Sequence, residues 1–186
     1  LLAQRLIARG HHVTLVCGST HGTFENGMRH RTQEGVSLLE LDRRNGWKYQ
    51  LASLRLVLRE AYDLMLVTVP PLSTVVPLLL ARWLRRKQVV LELREVWPEL
   101  PHATRAITNP FTFWTMRKLA WLAHRSAHRL VARAPGMARL LVRRGVRHER
   151  IAVIPLGCSA ALRDRNLRPA RPPAIAPEAL LAIYTR

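Results

Sequence analysis

At 186 residues, with 48% hydrophobic and 23% charged residues, the chain is long enough to bury one ordinary core and too apolar for intrinsic disorder. Its formal charge of +18 comes almost wholly from arginine, since Lys48, Lys87 and Lys118 are the only lysines. Such a surface attracts polyanions, which leaves nucleic acid, anionic headgroups and pyrophosphate-bearing substrates open, beside the plain alternative of solvated arginines on helix faces.

Leu1 to Gly10 reads as the end of an amphipathic helix with a glycine stop. Without a starting methionine or an N-cap, the chain is expected to be cut at its front. His12 to Cys17 is a β-branched run bounded by glycines, as a buried strand would be. A loop is expected through about Glu34, then a strand from Val36 to Leu41. Leu51, Leu54, Val57 and Leu58 give Tyr49 to Glu60 a helical period. Asp63 to Val69 follows as a strand, Leu72 to Arg86 as a helix and Gln88 to Leu93 as a strand. The uncharged run from Leu64 to Ala81 approaches membrane-spanning length, but Pro70, Pro71 and Pro77 divide it into strand and helix. Pro110 to about Ala127 is a helix with Asn109 as N-cap and proline in its first turn. A strand from His128 to Ala132, a helix from Pro135 to Arg144 stopped by Gly145, and a strand from Arg150 to Ile154 complete the alternation. Arg163 to Pro177 reads as linker or crossover, and Ala179 to Thr185 begins a further apolar unit. Short apolar strands alternating with helices predict an α/β fold, a parallel sheet with helices on both faces.

The strand from Val89 to Leu93 stops abruptly at Arg94-Glu95-Val96-Trp97-Pro98-Glu99. In open α/β sheets, ligands sit outside the carboxyl ends of the strands, which makes Arg94, Glu95 and Glu99 candidate site residues. Arg94 offers a planar fork of donors for phosphate, or else an ion pair with Glu95 or Glu99. Glu95 is suited to orienting a substrate hydroxyl or assisting proton removal. Trp97-Pro98 either shapes a pocket or fixes a loop. Thr68, Pro70 and Pro71, at another strand end, either line the cleft or end the strand. In the helix from Pro110, Phe111, Phe113, Trp114, Trp121 and Leu122 interleave with Arg117, Lys118, Arg125 and Arg129. That pattern suits an interfacial helix facing anionic lipid, or a core-packing helix with a wet basic face. Cys17 and Cys158 lack disulfide or zinc spacing, which fits a reducing cytoplasm. His124 and His128 have helical spacing without a nearby acidic partner, so no metal site is expected.

The segment Arg94-Glu95-Val96-Trp97-Pro98-Glu99 resembles the Arg-Asp-Leu-Trp-Pro-Glu strand end of the family 4 (group 1) glycosyltransferases, especially the branch that builds bacterial surface polysaccharide. Ala8-Arg9-Gly10-His11-His12-Val13-Thr14-Leu15-Val16 is similar to that family's segment joining the first helix to the second strand. Tyr62-Asp63-Leu64 with Pro70-Pro71-Leu72, and Arg144-Gly145-Val146 with Glu149-Arg150-Ile151-Ala152-Val153-Ile154-Pro155, resemble two more segments in the family's order. Glu95 stands where the family often has aspartate, and Pro155-Leu156-Gly157-Cys158-Ser159 replaces Pro-Asn-Gly-Val-Asp.

The resemblance implies a Rossmann-like half of a GT-B fold, truncated at both ends. Residues 1–158 would be the amino-terminal, acceptor-side domain without its first strand. Residues 159–186 would be a linker and the start of a donor-binding domain. It further implies a retaining transferase that moves a sugar from a nucleotide-sugar to a polyprenyl-diphosphate-linked glycan without metal or cofactor. The implied location is cytoplasmic, peripheral on the inner face of the cell membrane. Glu95 would then be catalytic, and Arg94, Trp97, Pro98, Glu99, Thr68 and Pro70 would bind the acceptor or its phosphates. Trp114, Arg117, Lys118, Trp121 and Arg125 would face the anionic membrane. Two other readings stay open: a non-catalytic recruiting subunit of a split glycosyltransferase, and, from charge alone, a basic nucleic-acid-binding protein. No nucleic-acid motif supports the latter, and no nucleic-acid partner is expected.

Overall fold

Most of the expected apolar runs become strands, and the computed structural model describes residues 2–33, 35–70 and 72–155. The expected linker and domain start at 159–186, and Pro71, lie outside the described residues. Helix α1 (Leu2–Ile7) leads through Gly10, at φ +86°, into β1 (Thr14–Ser19). β2 (Met28–Gln33) and β3 (Val36–Asp42) form an antiparallel hairpin, and β3 also pairs in parallel with β1. After α2 (Gly46–Arg59) comes β4 (Leu64–Val69), then α3 (Val75–Leu79), β5 (Gln88–Leu93) and the short α4 (Glu99–Ala103). Helix α5 (Pro110–Ser126), β6 (Arg129–Ala132), α6 (Pro135–Arg143) and β7 (Ile151–Val153) complete the described elements.

The strands form two sheets. One is mixed, in the order β1-β3-β2, and the other is wholly parallel, in the order β4-β5-β6-β7. The fold is α/β with a parallel four-strand sheet and flanking helices, as expected, and β1, β2 and β3 add a second, mixed sheet. Periodicity identifies strands without saying which pair, and β2 forms where a loop is expected, because Met-Arg-His-Arg-Thr-Gln has no apolar alternation to announce a strand. Its composition suits an edge strand bonded on one side only, where charge discourages further pairing. β1 and β4 are also outer strands, and they leave Leu15, Val16, Leu64 and Leu66 exposed.

Helix α2 packs against β3 of the first sheet and against the helical layer of the second. Its Val57 joins the core built from Val67, Val69, Leu78, Val89, Leu91, Leu93, Leu130 and Leu141. Leu78, Leu91, Leu130 and Leu141 are fully buried, and each such side chain contributes about 2 kcal/mol by removal from water. The expected helix from Leu72 to Arg86 is interrupted: a 3-10 turn (Leu72–Thr74) precedes α3 and a π turn (Leu80–Leu84) follows it. Pro77 has no N–H to offer the Ser73 carbonyl one turn back, and Gln50 Nε2 of α2 donates to that carbonyl instead, at 3.0 Å. Helix α5 begins as the sequence predicts. The Asn109 side chain accepts from the Phe111 and Thr112 amides at 2.9 and 3.2 Å, with Pro110 at the first helical position.

Candidate functional site

The carboxyl ends of β4, β5 and β6 converge on one carboxylate, Glu92. In the parallel register, Thr68 of β4 lies opposite Glu92 of β5, and Val131 of β6 lies on its other side. Glu92 accepts from Thr68 Oγ1 at 2.9 Å and from Arg133 Nη2, just past β6, at 2.7 Å. Arg94 Nε stands 4.0 Å away. Burial pushes the Glu92 carboxyl up. The hydrogen bonds from Arg133 and Thr68 and the charges of Arg133 and Arg94 together outweigh burial and hold it below the usual carboxylate range. Glu92 is thus an ionised anchor whose negative charge is largely taken up by Arg133.

Arg94 begins where β5 ends: its amide still donates to the Val69 carbonyl at 2.9 Å, while its side chain is 58% exposed. Among the described residues its nearest carboxylate is Glu92, so the alternative of an ion pair with Glu95 or Glu99 does not occur. Glu95 is exposed and accepts from the indole of Trp97 at 3.2 Å. Arg94 and Glu95 therefore present an exposed guanidinium and a carboxylate side by side in the chain at a strand exit. A guanidinium placed this way can bind phosphate, and the carboxylate can accept from a hydroxyl.

Glu99 and Pro98 sit differently. Pro98 is fully buried, and Pro70 is half-buried; the peptide bonds preceding both are cis. Glu99 forms an ion pair with Arg144, the residue closing α6, and Arg144 Nη1 also donates to the Trp97 carbonyl at 3.5 Å. Burial raises the Glu99 carboxyl, but the Arg144 bond, a backbone bond and the charges of Arg144 and Arg117 hold it low. His124 of α5 is buried beside this pair. Burial first, and then the Arg144 charge, push its imidazole down to about 4, so it is neutral at pH 7. Glu99 and Pro98 thus fix the loop from within, while Arg94 and Glu95 face outward.

Sequence reasoning missed Glu92 and Arg133. The signal was present, because Glu92 is the one charge in the otherwise apolar stretch from Val89 to Leu93, and such a charge is rarely covered unless paired.

On α5, Ala120, Ala123, His124 and Ser126 turn inward. Phe111, Trp114, Lys118, Trp121 and Arg125, spaced three and four apart, form an outward stripe, with Trp114 56% and Trp121 45% exposed. Phe111 stacks on Trp114, and the cations of Lys118 and Arg125 lie 5.5 and 5.2 Å from the Trp114 and Trp121 ring centres. Arg117 is also exposed. The helix thus packs one face on the core and leaves an aromatic and basic face exposed. Among the described residues, no helix is long and apolar enough to cross a membrane, and no three His, Cys, Asp or Glu side chains are grouped to hold a metal.

A parallel sheet with flanking helices and a polar cluster at its strand carboxyl ends defines a Rossmann-like α/β domain, consistent with one half of a GT-B fold. Glycosyltransferase Family 4 matches the chain over residues 1–162. The chain belongs to that family, which implies a sugar transferase using a nucleotide-sugar donor and an acceptor. No curated protein matches the chain.

Proposed function

We propose that this chain is the acceptor-side domain of a retaining transferase that moves a sugar from a nucleotide-sugar to a polyprenyl-diphosphate-linked glycan in surface polysaccharide synthesis. The observation that carries the reading is the division of charge at the strand ends. Glu92 takes its hydrogen bonds from Arg133 and Thr68, so Arg94 stays exposed, its ion pair to the shared Glu92 no closer than 4.0 Å, beside Glu95. In this reading Arg94 binds the acceptor diphosphate and Glu95 orients the attacking hydroxyl or helps remove its proton. Trp97, held through Glu95 and Arg144, bounds the acceptor loop. Pro98 and Glu99 support that loop from beneath, and Thr68 and Pro70 bound the neighbouring strand end. The α5 stripe rests on the cytoplasmic face of the membrane, its indoles among headgroups and its cations near anionic lipid.

The test is sugar transfer by the complete protein from a nucleotide-sugar panel to a polyprenyl-diphosphate-linked acceptor in anionic vesicles. Arg94→Ala should weaken acceptor use, whereas Glu95→Gln should lower turnover. Transfer that is unchanged in both variants would remove the strand-end site from the mechanism.

A further inference from the structure

The amino ends of β5, β6 and β7 lie on the edge of the parallel sheet opposite the strand ends around Glu92. There Gln88, His128, Arg129, Arg147, Glu149 and Arg150 line an open cavity of about 620 Å³. Three guanidiniums meet one carboxylate in this lining. The cationic excess is not relieved locally. Arg150 donates to the carbonyls of His124 at 3.0 Å, Arg125 at 3.2 Å, His128 at 3.4 Å and Ala127, closing the carboxyl end of α5 where helix carbonyls lack partners. Arg129 donates to the Glu149 carbonyl. These bonds hold the fold together, and none supplies a counter-charge. Among the described residues, the side chains of Arg147 and Glu149 form no ion pair.

The field of this cluster registers on two of its own members. Burial, then the charges of Arg147, Arg125, Arg129 and Arg82, push the Arg150 guanidinium down. Burial, then Arg82 and Arg150, push the His128 imidazole down. His128 Nδ1 accepts from the Val89 amide at 3.0 Å, so Nε2 is the nitrogen carrying its proton in the neutral form. A bound anion would relieve both groups.

We propose that this pocket is a phosphate-binding site, with Arg129, Arg147 and Arg150 as its cations. A phosphate monoester presents a divalent charge and several acceptor oxygens, which suits guanidinium forks better than a monovalent anion does. The cavity is roomy enough to admit the organic group attached to the phosphate. Two sources share this chemistry. Arg125, stacked over Trp121, contributes to the field on Arg150 and so joins the pocket to the α5 stripe. A lipid headgroup source rests on the reading of that stripe as the membrane face, whereas a soluble phosphate or phosphate ester does not.

The test uses the full chain and its Arg147→Glu variant, because among the described residues Arg147 makes no side-chain bond that its loss would break. The His128 ring proton is titrated by NMR with inorganic phosphate, against chloride at matched ionic strength. Binding is then measured to vesicles of phosphatidylcholine doped with phosphatidic acid, or with phosphatidylglycerol at equal surface charge. The expected result is a phosphate-specific rise in the His128 pKa, weakened about tenfold or more by Arg147→Glu, as for loss of a charged hydrogen bond. An Arg147-dependent preference for phosphatidic acid identifies the lipid source, and its absence beside an intact phosphate response identifies the soluble one. Either supports the site. If phosphate and chloride act alike on His128 and Arg147→Glu changes neither titration, the proposal is overturned. Loss of vesicle binding in Trp114→Ala/Trp121→Ala tests the membrane face separately, because those residues do not line the pocket.

Discussion

Glu92→Gln isolates the anchor of the strand-end cluster. The substitution retains an oxygen for Thr68 but removes the charge opposing Arg133. Glu92 and Arg133 side chains are 21% and 19% exposed and meet at 2.7 Å, which places the pair between the surface and buried regimes. Exposed pairs contribute about 0–1 kcal/mol, whereas breaking a buried one costs roughly 3–5 kcal/mol. An intermediate loss of about 2 kcal/mol is expected, or a fall in Tm of about 4–8 °C for a chain of this size. Urea unfolding of wild type, Glu92→Gln, Arg133→Met and the double variant should give a coupling of about 1–2 kcal/mol. The sign with pH is fixed by the depressed carboxyl. Its stabilisation is present above the unfolded carboxylate value, near about 4.3, and is lost as pH falls through the folded value. The gap between wild type and Glu92→Gln should therefore close in acid. A coupling below about 0.5 kcal/mol at pH 7, or a gap that persists at low pH, would refute the anchoring role.

Arg94→Ala should raise the KM for a diphosphate-linked acceptor by roughly tenfold to a hundredfold while leaving stability within about 0.5 kcal/mol, because the exposed guanidinium supports no packing. Steady-state kinetics beside urea unfolding checks both halves. Asn109→Ala should cost about 1 kcal/mol by removing the acceptor for two α5 amides, measured by thermal unfolding. His124 resists protonation when folded, so stability should fall as pH drops from about 6.5 towards 4, by up to about 3 kcal/mol. His124→Leu should flatten that part of the pH profile. Trp114→Ala/Trp121→Ala should reduce partition into anionic vesicles without lowering stability by more than about 1 kcal/mol, since both rings are on the open face of α5.

Helix caps and strand ends were legible because they depend on neighbours in the chain. Asn109-Pro110 states where α5 begins, and Gly145, at φ +84°, states where α6 has ended. Helix α2 begins three residues before the expected Tyr49, because Asn45 caps it, its side chain accepting from the Lys48 amide. The β2 hairpin also had a local signal. Asn26 and Gly27 both adopt positive φ, at 50° and 79°, in a two-residue turn of the type that Asn-Gly favours, and Gly35 does the same before β3. The interruption of the expected helix from Leu72 to Arg86 was less legible, since the bond from Gln50 to the Ser73 carbonyl depends on a helix more than twenty residues away.

The site divides along the same line. Arg94 and Glu95 were legible because the sequence places them at a strand exit, where ligands sit in open parallel sheets. Which charges are spent on the fold was not legible, since it depends on three separate strands and a helix terminus meeting. Arg144 takes Glu99, and Arg133 takes Glu92. These two pairings shape the electrostatics of the loop: Arg144 takes up Glu99, and Glu92, hydrogen-bonded to Arg133, is left 4.0 Å from Arg94. The net positive charge at the strand end is thus produced by pairing elsewhere, and substitutions at Arg133 or Arg144 should act on Arg94 through the carboxylates they release. An Arg133→Met variant frees Glu92 to draw in Arg94, so its effect on acceptor KM should reverse when Glu92 is also replaced by Gln. A plain packing role for Arg133 gives no such rescue, and kinetics of the single and double variants separates the two.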